Sequence, residues 1–594
     1  MIISTALFCF ATATTSPWPL ITVRHTAAIN SQPQTFARLM AEHKKYPGAV
    51  DEFWFATQKR QKTQELERAC RAIASFRTAC AETGVRFGYQ QGLTLGHSSA
   101  HDGPLKEDER QFPEDAFQVG PDGRRNAYLC PRAPEVLKWE YEHARIILSV
   151  LKPESFWVDD DLRLGVSHVD GCFCPRCLAA FNAETGEQWT RETLAKALFS
   201  DGKTVSVRRR WIEFNADSLA LFASEVRKAA DETGSDCRLG YQAVWSDRLI
   251  TGRDFRKTLE ALSGKACHAV GIRPGAGFYT EAEPRGMIFK CLSVAREAER
   301  CRALGSRVGT VCYEEENYPR RVLHKSPGAI ITECALAMAS GCDTISLYWY
   351  SASTPEPIDE YGRFLGSIAA ARSYFKRLSE HVRRTRLAGV ARYVGSCAGE
   401  QPDFDLRDSA DMMLACAGVP VTVAESGTHT WYLTAKSILE MRASDLNVLR
   451  EGGVVAPKSL LSELSGDFRL AQIAVVPEYV QYPFAPDRSR LLDVLDRVTP
   501  DGLCVRVDEC RPLRILPRIL ADGRVDTVTL LNVSIGATDV INVRIRHPSG
   551  SRVEWCRPGK PPVGLSVRSG TTTDEIVVLV PDIGGWEIGT LYFE

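Results

Sequence analysis

The sequence predicts a (β/α)8 barrel followed by a small α/β domain and a C-terminal β-sandwich. Three observations carry this. Along the first two thirds of the chain, eight apolar runs rich in β-formers alternate with longer amphipathic segments. Several of those segments end at a glycine just before the next run, at Gly84, Gly234, Gly305 and Gly341, as helix C-caps do. Beyond Asp501 the segments become short, alternating and β-branched, which is all-β patterning.

The eight runs are Ile2–Phe10, Val50–Phe55, Val85–Gln90, Phe156–Val158, Arg238–Val244, Ala266–Ile272, Arg307–Tyr313 and Asp343–Tyr348. Between them Thr63–Thr83, Pro134–Leu151, Arg208–Thr233, Met287–Leu304 and Gly328–Ser340 read as helices. Repeated β-then-α units imply a parallel barrel. A doubly wound sheet would favour a Gly-rich phosphate turn after the first strand, and none is there. The barrel is expected over residues 1–385, closing with the helix Tyr361–Arg384. An α/β domain over 386–498 then carries Val390–Val394, a helix-like Ala410–Ala417, the segments Val419–Ala424 and Trp431–Arg450, and the short strand Val454–Ala456. The sandwich, 499–594, includes Thr527–Asn532, Asp539–His547, Glu575–Val580 and Trp586–Phe593. Asn532-Val533-Ser534 matches a glycosylation sequon on three residues alone.

Composition removes several function classes. A chain of 594 residues exceeds one hydrophobic core, which calls for several domains. With 73 basic and 74 acidic residues, the net charge of -1 makes no electrostatic case for nucleic acid or an anionic membrane. No run approaches the roughly 20 apolar residues of a membrane helix. Nineteen cysteines, an odd number, are too sparse for a disulfide scaffold, so a reducing, cytoplasmic setting is expected. The start has an apolar stretch but no Lys or Arg before it, so Ile2–Phe10 reads as the first strand in preference to a signal peptide.

In such a barrel, chemistry gathers at the C-terminal ends of the strands. Strand three ends near Gln90 and Gln91, with His97 beyond. Strand four ends in Asp159, Asp160 and Asp161, strand five in Trp245 and strand six at Arg273. Strand seven ends in Glu314-Glu315-Glu316-Asn317-Tyr318-Pro319, and strand eight in Tyr348-Trp349-Tyr350. Carboxylates on opposing strands walled by aromatics suit a sugar: rings stack on its apolar face while acids transfer protons and attack. The bland readings are a solvated turn for the Asp trio and an exposed first helical turn for the Glu trio.

A Cys-x-Cys-x-x-Cys cluster follows strand four at Cys172, Cys174 and Cys177. Thiolates so spaced can wrap one tetrahedral metal, with Cys130 or His168 as the fourth ligand. Four protein ligands leave no open position for water, so such a site is structural.

Cys130-Pro131, the acids after Trp157 and Cys172-Phe173-Cys174-Pro175-Arg176-Cys177 together resemble the glycoside hydrolase family 42 β-galactosidases. The resemblance implies a barrel, a trimerisation domain and a small β domain, with a structural zinc on Cys130, Cys172, Cys174 and Cys177. It aligns the family's acid/base with Asp161, an Asp where the family has Glu. Asp160 falls where the family has the Asn that contacts the sugar 2-hydroxyl. The family nucleophile falls on Glu314. Galactose itself is not fixed by this likeness.

The expectation is therefore an exo-acting, retaining glycosidase, with Glu314 attacking the anomeric carbon and Asp161 protonating the leaving oxygen. Glu316 shares a strand face with Glu314 and is the rival nucleophile. Candidate substrate contacts are Asp160, Gln90, Arg125, Trp245, Arg273, Asn317 and Trp349. The substrate is an oligosaccharide or glycoside, no organic cofactor is expected, and a homo-oligomer, trimer or dimer, is implied by the resemblance. Two other classes stand beside this one: a non-catalytic carbohydrate-binding or scaffold protein, and a hydrolase using the Asp trio as cation ligands.

Overall fold

The computed structural model of the protein describes residues 18–96, 110–164, 171–199, 205–243, 255–275, 278–318, 321, 324–353, 356–393, 414, 418–424, 430–433, 449, 452–457, 473–476, 488–499, 502–509 and 512–594. Eight parallel strands close a barrel: β1 (Ile21–Arg24), β2 (Glu52–Phe55), β3 (Arg86–Gln90), β4 (Ser155–Val158), β5 (Arg238–Ala243), β6 (Val270–Pro274), β7 (Val308–Glu316) and β8 (Thr344–Tyr348). They run in chain order around the ring, which shuts where Ile21 of β1 lies opposite Ile345 of β8.

Seven of the eight positions fall on the expected runs. The first does not. Ile2–Phe10 lies outside the described residues, and Ile-Thr-Val-Arg at 21–24 takes the place assigned to it. That run is only four residues long but is buried throughout. The longer apolar stretch upstream outweighs it in any count of hydrophobicity. The helix expected over Thr63–Thr83 is broken into Thr63–Ala74 and Arg77–Glu82. Gly84 and Gly234 do end their helices in the left-handed region, at φ 71° and 60°.

Alternate strand residues point inward and stack in layers. At the N-terminal end, Glu52 is fully buried and accepts hydrogen bonds from Trp54 Nε1 at 2.9 Å, Arg238 Nη2 at 2.6 Å and the Ser155 hydroxyl. The middle is aromatic: Trp54 and Trp157 lie 4.4 Å apart by ring centroids, with Trp18 edge-on to Trp157 at 5.7 Å. Gly240 makes room for this plug, since a Cβ there would come within 2.3 Å of the Trp157 ring. The barrel is thus closed below by this charged layer and the aromatic plug.

After the helix Ile358–Arg384 the chain first adds Arg386–Leu387 to the edge of the sandwich, across the boundary expected at 386. It then enters a five-stranded parallel sheet ordered Val421–Ala424, Val390–Tyr393, Thr430–Tyr432, Gly453–Pro457, Ile473–Val476. Thr430–Tyr432, where the expected segment Trp431–Arg450 begins, is a strand buried in mid-sheet. The expected helix at Ala410–Ala417 lies almost wholly outside the described residues. A six-stranded and a four-stranded antiparallel sheet form the sandwich. Val528, Leu530 and Trp555 of one sheet meet Val543, Ile545 and Val578 of the other in a single core. Asn532 is fully buried there and donates to the carbonyls of Gly536, Ile583 and Gly584, so its amide is engaged within the fold. No described helix is long and apolar enough to cross a membrane.

Candidate active site

The uppermost inward layer of the barrel gathers Arg24 from β1, Gln90 from β3, Arg273 from β6, Glu314 from β7 and Tyr348 from β8. Each stands at or near the C-terminal end of its strand. Glu314 is the hub. Its Oε1 accepts from Arg24 Nη1 at 2.9 Å and lies 2.5 Å from Arg273 Nη1. Arg24 in turn donates through Nε to Gln90 Oε1 at 2.8 Å, and its guanidinium lies over the Tyr348 ring at 4.5 Å. Gly275 abuts the other carboxyl oxygen: a Cβ there would sit 2.7 Å from Glu314 Oε2. Burial alone would raise the Glu314 carboxyl, but Arg273 and Arg24 overcome it and hold the group at about 2.

Across the barrel, Asp160 Oδ2 accepts from Arg273 Nη2 at 3.1 Å. One guanidinium therefore joins a carboxylate of β7 to one following β4. Asp160 is partly exposed, while Asp161 is fully buried and paired with Arg163 at 3.1 Å. Carboxyl oxygens of Asp159, Asp160 and Asp161 all lie within 4.8 Å of one another. Burial and this mutual repulsion push Asp159 well above the usual carboxylate range, and Asp159 hydrogen-bonds to Asp161. Asp160 is raised for the same two reasons, against the opposing pull of Arg273.

The remaining candidates divide. Glu316 is half-buried at the end of β7, and its carbonyl accepts from Lys325 Nζ at 2.9 Å. Asn317 is fully buried, donating to the Arg321 carbonyl at 3.3 Å. Trp349 is drawn into the helix layer, stacked on Tyr361 at 5.4 Å and Phe364 at 6.0 Å, because it follows the inward Tyr348 and faces the opposite way. Arg125 lies on the hairpin Phe117–Val119/Arg125–Leu129, over the Phe117 ring and 4.0 Å from Glu114. Trp245 and His97 lie outside the described residues. Tyr348, one of the aromatics expected at the end of the eighth strand, does face the site; Arg24 joins it without having been expected there, hidden by the misplaced first strand.

The cysteines converge. Cys130 leaves the hairpin, and Cys174 N-caps the helix Pro175–Thr185, accepting from the Cys177 N–H at 3.4 Å. Cys130 Sγ is 3.8 Å from Cys174 Sγ and 3.5 Å from Cys177 Sγ, and with Cys172 all four sulfurs lie within 4.8 Å, fully buried. Thiolates bound at about 2.3 Å to a tetrahedral zinc stand ~3.8 Å apart, so donor type and spacing both fit that ion. Hydrogen bonds from the other thiols hold Cys174 far below, and burial holds Cys172 far above, the ordinary thiol range. His168 lies outside the described residues, and Cys130 fills the fourth corner.

No protein-family model matches the chain, and no curated protein does. Solved structures are similar over nearly its whole length. An α-L-fucosidase isoenzyme from Paenibacillus thiaminolyticus superposes with a TM-score of 0.63 at 12% identity, covering 97% of this chain and 100% of that one. A β-galactosidase from Bacillus circulans sp. alkalophilus gives 0.60 at 11% identity over 97% and 99%. A β-galactosidase from the psychrophilic Marinomonas ef1 gives 0.57 at 11% over 97% and 100%. At these identities the likeness is one of fold.

Proposed function

We propose that the protein is an exo-acting, retaining glycoside hydrolase of β-galactosidase type, with Glu314 as nucleophile. The observation that carries this is the Glu314–Arg273–Asp160 bridge. Two carboxyl groups from opposite strands are held on one guanidinium, and their surroundings push them apart, one ionised and one inclined to keep its proton. That division is what acid and nucleophile need at neutral pH. Carboxyl groups on a shared guanidinium also favour the separation of roughly 5–5.5 Å found in retaining enzymes over the roughly 6.5–9.5 Å of inverting ones. The names of the similar structures, β-galactosidase and α-L-fucosidase, support a glycosidic substrate.

In this reading Glu314 attacks the anomeric carbon and the leaving oxygen takes its proton from the Asp trio. Asp160 faces Glu314 and solvent, so it is the donor and later the base that activates water. Asp161, buried on Arg163, supports the trio in place of the acid role expected for it. Gln90 and Arg24 hold the nucleophile's side of the pocket. The four cysteines would hold a zinc ion whose contribution is to fix the loop after β4. A homo-trimer or dimer belongs to the same reading, and light scattering of the purified chain tests it.

Aryl glycosides of several sugars, β-galactoside and α-L-fucoside among them, are the test. Turnover by the protein and a loss of more than about 1,000-fold in Glu314→Gln are expected. Sugar binding without turnover on any of them would instead favour a carbohydrate-binding protein.

A further inference from the structure

Behind the barrel wall lies a second group of charges that the pocket does not use. Glu315 alternates outward from β7 into the helix layer, where a lone carboxylate is costly. Lys325 Nζ meets it at 3.1 Å, and also lies 2.6 Å from Glu333 Oε2 and donates to the Glu316 carbonyl at 2.9 Å. Glu333, on the helix Pro327–Ala339, accepts from the Tyr313 hydroxyl at 2.5 Å. Lys290, on the helix Pro284–Arg302, lies 3.7 Å from Glu333 and donates to the main-chain carbonyl of Glu314 at 2.6 Å. All four charged side chains are at most 1% exposed.

We propose that Lys290 is a positioning residue for Glu314, gripping its main chain from behind the barrel wall and bringing a third positive charge to its carboxylate. The kinetic part of this rests on the glycosidase reading. Buried ion pairs are weak stabilisers, and well-packed apolar residues often serve as well. Two lysines here take hold of the carbonyls of Glu314 and Glu316 and the side chain of Glu315. They thereby fix three successive residues at the strand end where the pocket needs one carboxylate aimed. The charge adds to the aim. Glu314 is faced by Arg24 from β1, Asp160 after β4, Arg273 from β6, Tyr279 in the loop after β6, Glu316 on its own strand and Lys290 from the helix layer. Lys290 in turn faces Glu333 and the Tyr313 ring, at 4.8 Å.

Lys290→Met, which removes donor and charge at similar volume, is the test. On an aryl glycoside we expect kcat to fall about 10-fold or more with KM changed less than about 3-fold, and the acid limb of the kcat/KM profile to move up in pH. Lys290→Arg restores part of kcat. Ionisation of Glu314 is read without substrate, by infrared difference titration of each protein against its own Glu314→Gln variant. An upward movement in Lys290→Met supports the proposal, and an unmoved titration in a folded variant overturns it. Should Lys290→Met not fold, Lys290→Gln keeps a donor for the carbonyl without the charge, and its titration decides in the same way. A wild-type chain inert on every glycoside sinks the glycosidase reading and leaves this titration standing as a separate result.

Discussion

At the scale of single residues, the pocket depends on unequal carboxyls. Asp160 gains its proton affinity from burial and from Asp161, so removing that neighbour weakens it as an acid. Asp160→Asn is expected to lose ~100-fold or more on a glycoside with a poor leaving group, and far less on a dinitrophenyl glycoside, which needs no protonation. Asp161→Asn, in contrast, is expected to move the basic limb of the pH profile downward while keeping most of kcat. Equal leaving-group dependence in both variants would return the acid role to Asp161. A different carboxyl offers a pH test of stability. Glu140 is fully buried with Gln91 Nε2 at 2.9 and 3.1 Å, and burial raises it to about 8. Its folded value exceeds its unfolded one, so its contribution is favourable below about 4.5 and is lost as pH rises through about 8. Glu140→Gln is expected to raise the melting temperature at pH 8 and to leave it within about 1 °C at pH 5.

Among the elements, β7 and the stretch after β4 were the most legible. Glu314 and the Asp trio announce themselves because charges at the end of an apolar run have few other uses in a barrel, and the cysteine spacing admits few other chemistries. What spacing does not reveal is rotation. Asp160 and Asp161 are adjacent in the sequence, yet one meets Arg273 and the other Arg163, a choice made where the strand gives way to a turn. Trp349 carries the right chemistry for a sugar wall and the wrong parity. Arg24 was illegible for a third reason: four buried residues make a weaker signal than a longer apolar run upstream. The cysteine clasp is the element whose role is most directly tested. It ties the hairpin that ends before Cys130 to the helix that Cys174 caps, across the loop that leaves the acid strand. One zinc per chain is expected by elemental analysis. Cys174→Ser is expected to lower that content and the melting temperature together, since a site closed by four thiolates contributes folding energy outright. Full stability without metal would end the structural-zinc reading.

For the whole molecule, the question is what joins a barrel to a sandwich so that both form one body. Leu516, Leu531, Ile588 and Tyr592 of the sandwich share the barrel's apolar core, and Arg518 adds a polar tie. It sits in the strand Leu513–Ile519 of the sandwich, fully buried, and burial lowers it to about 10, so the cation's own desolvation opposes folding. What offsets this is its set of acceptors, all on the barrel side. Nη1 donates to the Ala339 carbonyl at 3.0 Å, Nη2 to the Thr385 carbonyl at 2.7 Å and Nε to the Thr385 hydroxyl at 2.9 Å. These are the C-terminal ends of the helices Pro327–Ala339 and Ile358–Arg384, where free carbonyls and the helix dipole both favour a cation. The first of those helices also carries Glu333, so the sandwich braces the layer that braces the strand end of Glu314. Arg518→Met leaves buried carbonyls without a donor and is expected to cost about 3 kcal/mol. The scale of the defect predicts its form. Calorimetry is expected to show the sandwich melting ahead of the barrel in the variant, with the proposed glycosidase activity lost only in the second step. A variant that melts in one step at the parent's temperature would show that the apolar contacts between the two domains suffice without the arginine.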